Sequence, residues 1–185
     1  MAKNKKKLSL LNLILSVVGI AGAVLSYIAL AFNFVNSQTT YKIGSSTSTT
    51  NNPMSLSKWF EYINKSQETN AHLDDTVLED LRIKIDGWAA ARVFLIITLV
   101  LVAIVAIALV VKFFVNNKIL NLATLVVAVL TIVSAVAFLI MVYAGGSALV
   151  GDAAENVKYL ADVGARFVTL GALVAGGMGI AVARK

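Results

Sequence analysis

Apolar residues fall into four long runs separated by polar segments. Residues 8–35 and 93–111 carry no charge, and neither do residues 119–151. Residues 167–183 form a shorter run that extends back to about 161, with Arg166 at headgroup level. About 20 apolar residues cross the hydrocarbon core as a helix. The pattern therefore predicts spans at 8–35, 93–111, 119–146 and 163–183. A basic segment 1–7 precedes them and 184–185 follow. An outer segment 36–92, an inner loop 112–118 and a second outer loop 147–162 join them. The expected fold is an all-α membrane protein: a four-helix transmembrane bundle with a small mixed α/β outer domain in the first outer loop. Lys3 to Lys7 followed by an apolar run resembles a signal sequence. The run is too long for one, so it is expected to remain as the first span.

The outer segment has its own patterns. Ser45-Ser46-Thr47-Ser48-Thr49-Thr50 has nothing apolar to bury and predicts a mobile tip, with a short strand at 39–43 before it. Ser55 or Ser57 caps an expected helix bearing Trp59, Phe60, Tyr62 and Ile63. A second helix is expected at about 70–80. Leu81-Arg82-Ile83-Lys84-Ile85-Asp86 alternates strictly, which predicts a strand ended by Gly87, with Trp88 as an interfacial anchor. A bend at Gly145-Gly146 and a short helix over 152–162 are expected in the second outer part.

Small residues recur along the spans at helical spacing. The first has Asn12, Ser16, Gly19, Ala23 and Ser26. The third has Asn121, Thr124, Ala128, Thr131 and Ala135. The fourth has Gly171, Ala175, Gly179 and Ala183 in an unbroken four-residue step. Lipid provides little hydrophobic force between helices, so close packing through small residues drives their association. The candidate packing or assembly residues are therefore Ser16, Gly19, Ala23, Ala128, Ala135, Gly171, Ala175, Gly179 and Ala183. These stripes serve either the bundle itself or a neighbouring subunit. The second span has the weakest stripe and is expected to face lipid most. Trp59, Phe60 and Tyr62 are candidate outer contacts, or else the packing core of the outer segment.

Composition agrees with this layout: 58% of the chain is hydrophobic and only 14% charged, outside the range of soluble domains. The chain has no Cys and one His, His72. A thiolate site, a disulfide and a His-rich metal centre are thereby excluded. Asp74, Asp75, Glu79 and Asp80 cluster without calcium-loop spacing and read as a solvated face. The net charge of +6 does not imply nucleic acid. With the N-terminus inside, the inner segments hold Lys3, Lys5, Lys6, Lys7, Lys112, Lys118, Arg184 and Lys185 and no acid. All ten acids then lie outside. This is the positive-inside pattern, and it places both termini in the cytoplasm. Anionic inner-leaflet lipid suits the basic N-terminus.

No charged residue lies deep in a span, unlike in most pumps and proton-coupled carriers. No Ser-His, His-Glu-x-x-His or paired-carboxylate arrangement is present, so the chain is read as non-enzymatic and without a cofactor. The expected role is lateral assembly, or a structural subunit of a plasma-membrane complex, as a homo-oligomer or within a hetero-complex. The alternative is an oligomeric channel or pore subunit, lined by Ser, Thr, Asn and backbone.

The junction Ala89-Ala90-Ala91-Arg92-Val93-Phe94 resembles the Ala-Ala-Arg-Ala-Leu entry to the second span of claudins. The layout of a long first outer segment, a tight inner turn and a short second outer loop is similar to that of the claudin-like tetraspan superfamily. The resemblance implies a small outer β-sheet and lateral or cell–cell contact. The family's Gly-Leu-Trp motif and Cys pair have no counterpart here. Its disulfide, pore-lining charges and partner choice are therefore not carried over.

The charge distribution makes a direct prediction. A single Cys at Ser48 should react with an impermeant thiol reagent on intact cells, and one at Asn117 should not. The reverse labelling would invert the topology.

Overall fold

The structure, a computed structural model, describes residues 10–43, 46–70, 75–115, 117–148 and 157–184. Its elements are α1 (Leu10–Ile28), a 3-10 turn (Ala29–Ala31), β1 (Asn33–Ile43), β2 (Ser46–Ser55), α2 (Leu56–Asn70), α3 (Asp75–Val111), α4 (Lys118–Ala148), β3 (Val157–Ala161) and α5 (Val163–Ala183). Four helical stretches are long and apolar enough to cross a membrane: Leu10–Ala31, Gly87–Val111, Lys118–Ala144 and Val163–Ala183. The chain has the build of a multi-pass membrane protein. At one end of these helices lies a three-stranded antiparallel sheet of order β2-β1-β3.

Several local expectations are corrected. The first helical stretch ends at Ala31, and residues 33–35 belong to β1. Asn33 and Asn36 interrupt the apolar run, and the β-pairings Asn33↔Ser55 and Asn36↔Leu160 take up their backbone. Residues 46–50 of the Ser/Thr run are in a strand, and Ser45 lies outside the described residues. Thr40 pairs with Thr49 and Thr39 with Thr50, so ladder hydrogen bonds hold residues that have no core to join. Residues 81–86 are helical, within the continuous α3. Their alternation concealed a second period: Leu78, Leu81, Ile85 and Trp88 also recur at three- and four-residue steps. α4 continues unbroken through Gly145-Gly146 to Ala148. Residues 157–161, expected to be helical, form β3, because β1 offers them a free edge. Residues 152–156, Gly151, His72 and Asp74 lie outside the described residues, as do the side chains of Asp75, Glu79 and Asp80.

The core has two parts. The inner one joins Ala23, Val102, Val105, Leu109, Ala128, Ala135, Ala172, Ala175 and Val182 across the bundle. The other begins at the sheet end of the bundle and continues into the outer layer. It packs Phe34 and Val35 of β1 with Trp59 and Ile63 of α2, and with Trp88, Phe138 and Val168 of the long helices. The outer segment therefore does not have a core of its own. Trp88 is fully buried and donates from Nε1 to Val142 O at 3.3 Å, so it joins α3 to α4 and is not an interfacial anchor.

α5 starts where it does because of Asp162. Its backbone N–H donates to Phe34 O at 2.9 Å, which ends the sheet. Its Oδ1 accepts from Val163 N at 2.7 Å, which caps the helix. Arg166 Nε donates to Ala161 O at 2.8 Å and ties the first turn back to β3.

Trp59 is the hinge of the outer core. It stacks on Phe34 with centroids 6.1 Å apart and meets Trp88 edge-on at 6.0 Å. Its buried Nε1 has no protein hydrogen-bond partner. Trp59→Ala should cost about 3–5 kcal/mol, the range for emptying an aromatic site. Trp59→Phe should cost far less, since the indole N–H satisfies nothing. Thermal melts followed by circular dichroism would test the contrast, and equal losses for the two variants would refute it.

Candidate functional site

All nine small-residue positions lie inside the bundle. Ser16, Gly19 and Ala23 on α1 are buried, as are Ala128 and Ala135 on α4 and Gly171, Ala175, Gly179 and Ala183 on α5. The unbroken series on α5 is divided between two partners in the same chain. Gly171 rests against Ser26 and Gly22 of α1: a Cβ there would collide with the Ser26 hydroxyl and sit 2.5 Å from Gly22 O. Gly179 rests on α4, where a Cβ would lie 2.9 Å from the Ala128 methyl. On α1 itself, Gly19 receives Leu109 of α3 and Met178 of α5. α5 is the most enclosed span, with half of its apolar window buried against 28–33% for the others. The stripe expected either for the bundle or for a neighbour is thus occupied within the chain.

Hydrogen bonds lock these contacts. The Ser26 hydroxyl lies 3.2 Å from both Gly22 O and Val168 O, so it links α1 to α5. Tyr27 Oη donates to Leu99 O at 2.7 Å and links α1 to α3. Thr98 and Ser134 share a hydroxyl contact of 3.0 Å between α3 and α4. At the far end from the sheet, Lys112 is buried and donates from Nζ to Val182 O at 2.8 Å, capping the last turn of α5. Burial pushes the Lys112 ammonium below the usual lysine range.

Sequence reading missed Gly22, Thr98, Ser134 and the capping role of Lys112. Gly22 was legible as a further small residue three positions after Gly19 and four before Ser26. For the others the decisive fact is which helix lies opposite, and spacing along one helix does not contain it. The buried threonines are satisfied within their own helices. Thr98, Thr124, Thr131 and Thr169 each donate to the carbonyl four residues back on their own helix.

The outer aromatics separate by burial. Trp59 is fully buried and belongs to the packing core, the second of its two expected roles. Phe60 is half-buried beneath the Arg92 guanidinium, 5.8 Å from its ring centre. Arg92 also donates to Asn64 Oδ1 at 2.7 Å and fastens α2 to α3. Of the three, Tyr62 alone is an exposed surface residue, 40% accessible. Beside it Glu61 and Lys65 form an exposed ion pair of 2.8 Å. Their mutual hydrogen bond lowers the Glu61 pKa and raises that of Lys65. Among the described residues, no three His, Cys, Asp or Glu side chains group closely enough to hold a metal ion.

No protein-family model matches the chain, and no curated protein is found to be similar to it.

The glycines allow a controlled comparison. A Cβ at Gly177 meets nothing within 4 Å, whereas at Gly171 it meets the α1 backbone. Gly177→Ala should be neutral or slightly stabilising, as Ala favours a helix over Gly. Gly171→Ala should lose about 1–3 kcal/mol, typical of an overpacked core. The same melting temperature for both variants in detergent would remove the close-approach account.

Proposed function

We propose that the chain is a non-enzymatic plasma-membrane protein that acts by lateral assembly, or as a structural subunit of a membrane complex. Its two termini are cytoplasmic and its sheet lies outside. The observation that carries this reading is strand β2. It pairs with β1 on one side only, and no described strand lies on the other. Its ten residues, Ser46–Ser55, contain no charge, and residues 49–53 are exposed. Soluble proteins guard such edges with Lys, bulges or covering loops, because an open row of backbone groups recruits another strand. β3 is short and carries Lys158; β2 carries no charge, and Pro53 blunts only its membrane-proximal end, so residues 46–52 stay open to a further strand. The other source of contacts, the small-residue stripe of α5, is taken up internally, which leaves the outer layer as the assembling surface.

The partner this favours is a second copy. β2 runs back toward the membrane, since Ser55 pairs with Asn33 just beyond the first span. Copies in one membrane hold that strand at one height and in one direction. Two β2 edges then meet in parallel, each residue near its own counterpart, with no like charges to repel. The layout resemblance to claudin-like tetraspans fits the same reading.

Because the chain lacks Cys, single-Cys variants report this contact cleanly. Thr50→Cys should form a disulfide-linked dimer in membranes under mild oxidation. Adding Asn51→Lys should suppress it at least several-fold by bringing two charges together. If Thr50→Cys stays monomeric while Cys on other faces crosslinks, β2 is not the contact. Particles that form closed rings around an aqueous opening would instead favour the channel reading.

A further inference from the structure

A cavity of about 400 Å³ lies between α1 and α3, within the spans. Ala23 on α1 and Ala103 and Ala106 on α3 line it with small side chains, beside Ile20, Val24 and Ile107. Both ends are closed. At the sheet end the Tyr27 hydroxyl donates to Leu99 O at 2.7 Å. At the other end Leu109 packs onto Gly19. Between these closures the small side chains of Ala23, Ala103 and Ala106 leave the two helices apart, and the opening is lateral.

The gap is enforced. α1 cannot swing onto α3, because Gly22 and Ser26 hold it against Gly171 and Val168 of α5. The size then selects the occupant. The closures on α1 are eight residues apart, about 12 Å at a rise of 1.5 Å per residue. That length gives the slot a section of roughly 30 Å², against about 80 Å² for even a 10 Å-wide helix. Eight residues line it, far fewer than the roughly 20–30 a side of a stable protein interface. Its volume falls within the roughly 300–1,000 Å³ of small-ligand sites. The polar group at its rim, the Tyr27 hydroxyl, already has an acceptor. A ligand there gains nothing from donors, acceptors or charge. It must be slender and wholly apolar, and available at that depth of the bilayer.

We propose that this slot binds a single acyl chain of a membrane phospholipid. The chain fills the one seam of the bundle that the helices leave open. This site rests on the membrane-spanning build and is independent of how copies assemble.

The test uses the full chain in phosphatidylcholine nanodiscs doped with a phosphatidylcholine bearing a mid-chain diazirine. After irradiation, mass spectrometry maps the labelled peptides. Labelling should be enriched several-fold on residues 20–28 and 103–107 over the exposed α4 positions Val126, Val133 and Ile140. Ala106→Phe should cut that enrichment several-fold with an unchanged melting temperature, and Ile140→Phe should leave it intact. If Ala106→Phe destabilises the fold, Ala103→Leu narrows the same slot by less and must show the same loss. Even labelling of all lipid-facing helices would overturn the site. So would a slot-filling variant that folds and labels like the wild type. Protection of the slot by peptides of a second copy, seen with a bifunctional crosslinker, would assign it to protein and overturn the lipid.

Discussion

The close approach of α5 to α1 and α4 is the constraint on which the other contacts depend. Gly171 and Gly179 bring backbones together at distances where no Cβ fits. Inside a bilayer the hydrophobic effect does not hold helices together, so dispersion between closely packed surfaces must do so. α5 sits between two neighbours and is the most buried span. Once α1 is held by α5, its position relative to α3 is no longer free. The two helices touch at Gly19–Leu109 and Tyr27–Leu99, and a slot remains between. The open seam is thus a consequence of the tight one.

The second organising element is the aromatic cluster at the sheet end. Phe34, Trp59, Trp88 and Phe138 belong to four different elements and share one core. The sheet and α2 are therefore seated on the bundle and do not hang from it by linkers. Asp162 completes the junction by ending β3 and starting α5 within one residue. A contact made by the outer layer is in this way coupled mechanically to the long helices.

Polar groups inside the spans follow the rule of apolar surroundings. Each buried threonine hydroxyl is satisfied by its own helix, and Ser26, Tyr27 and Thr98 cross to a neighbour. Bonds of this kind contribute about 0.6 kcal/mol on average in membranes. They orient the helices more than they hold them together. Lys112 is the one buried cation among the described residues of the bundle, and it sits at the end of α5, where the helix dipole and an unpaired carbonyl favour it.

The four spans were legible in the sequence because crossing a bilayer demands one property, sustained apolarity, that each segment carries alone. The small-residue faces were legible for a similar reason, since spacing along one helix defines a face. Which helix a face meets is a relation between segments, and only the tertiary structure decided that the α5 stripe is used within the chain. The outer layer was read least well, for the same reason. Residues 46–55 have no apolar pattern, yet they form a strand because β1 lies beside them. Residues 81–86 fit two periods, and the helix prevailed because α3 continues unbroken into a span. Trp59 had two possible roles and Trp88 was expected at the interface, until Phe34 was found against Trp59 and Trp59 against Trp88. Pairing, choice between periods and burial of an aromatic all depend on a partner distant in the chain, and that information exists only once the chain has folded.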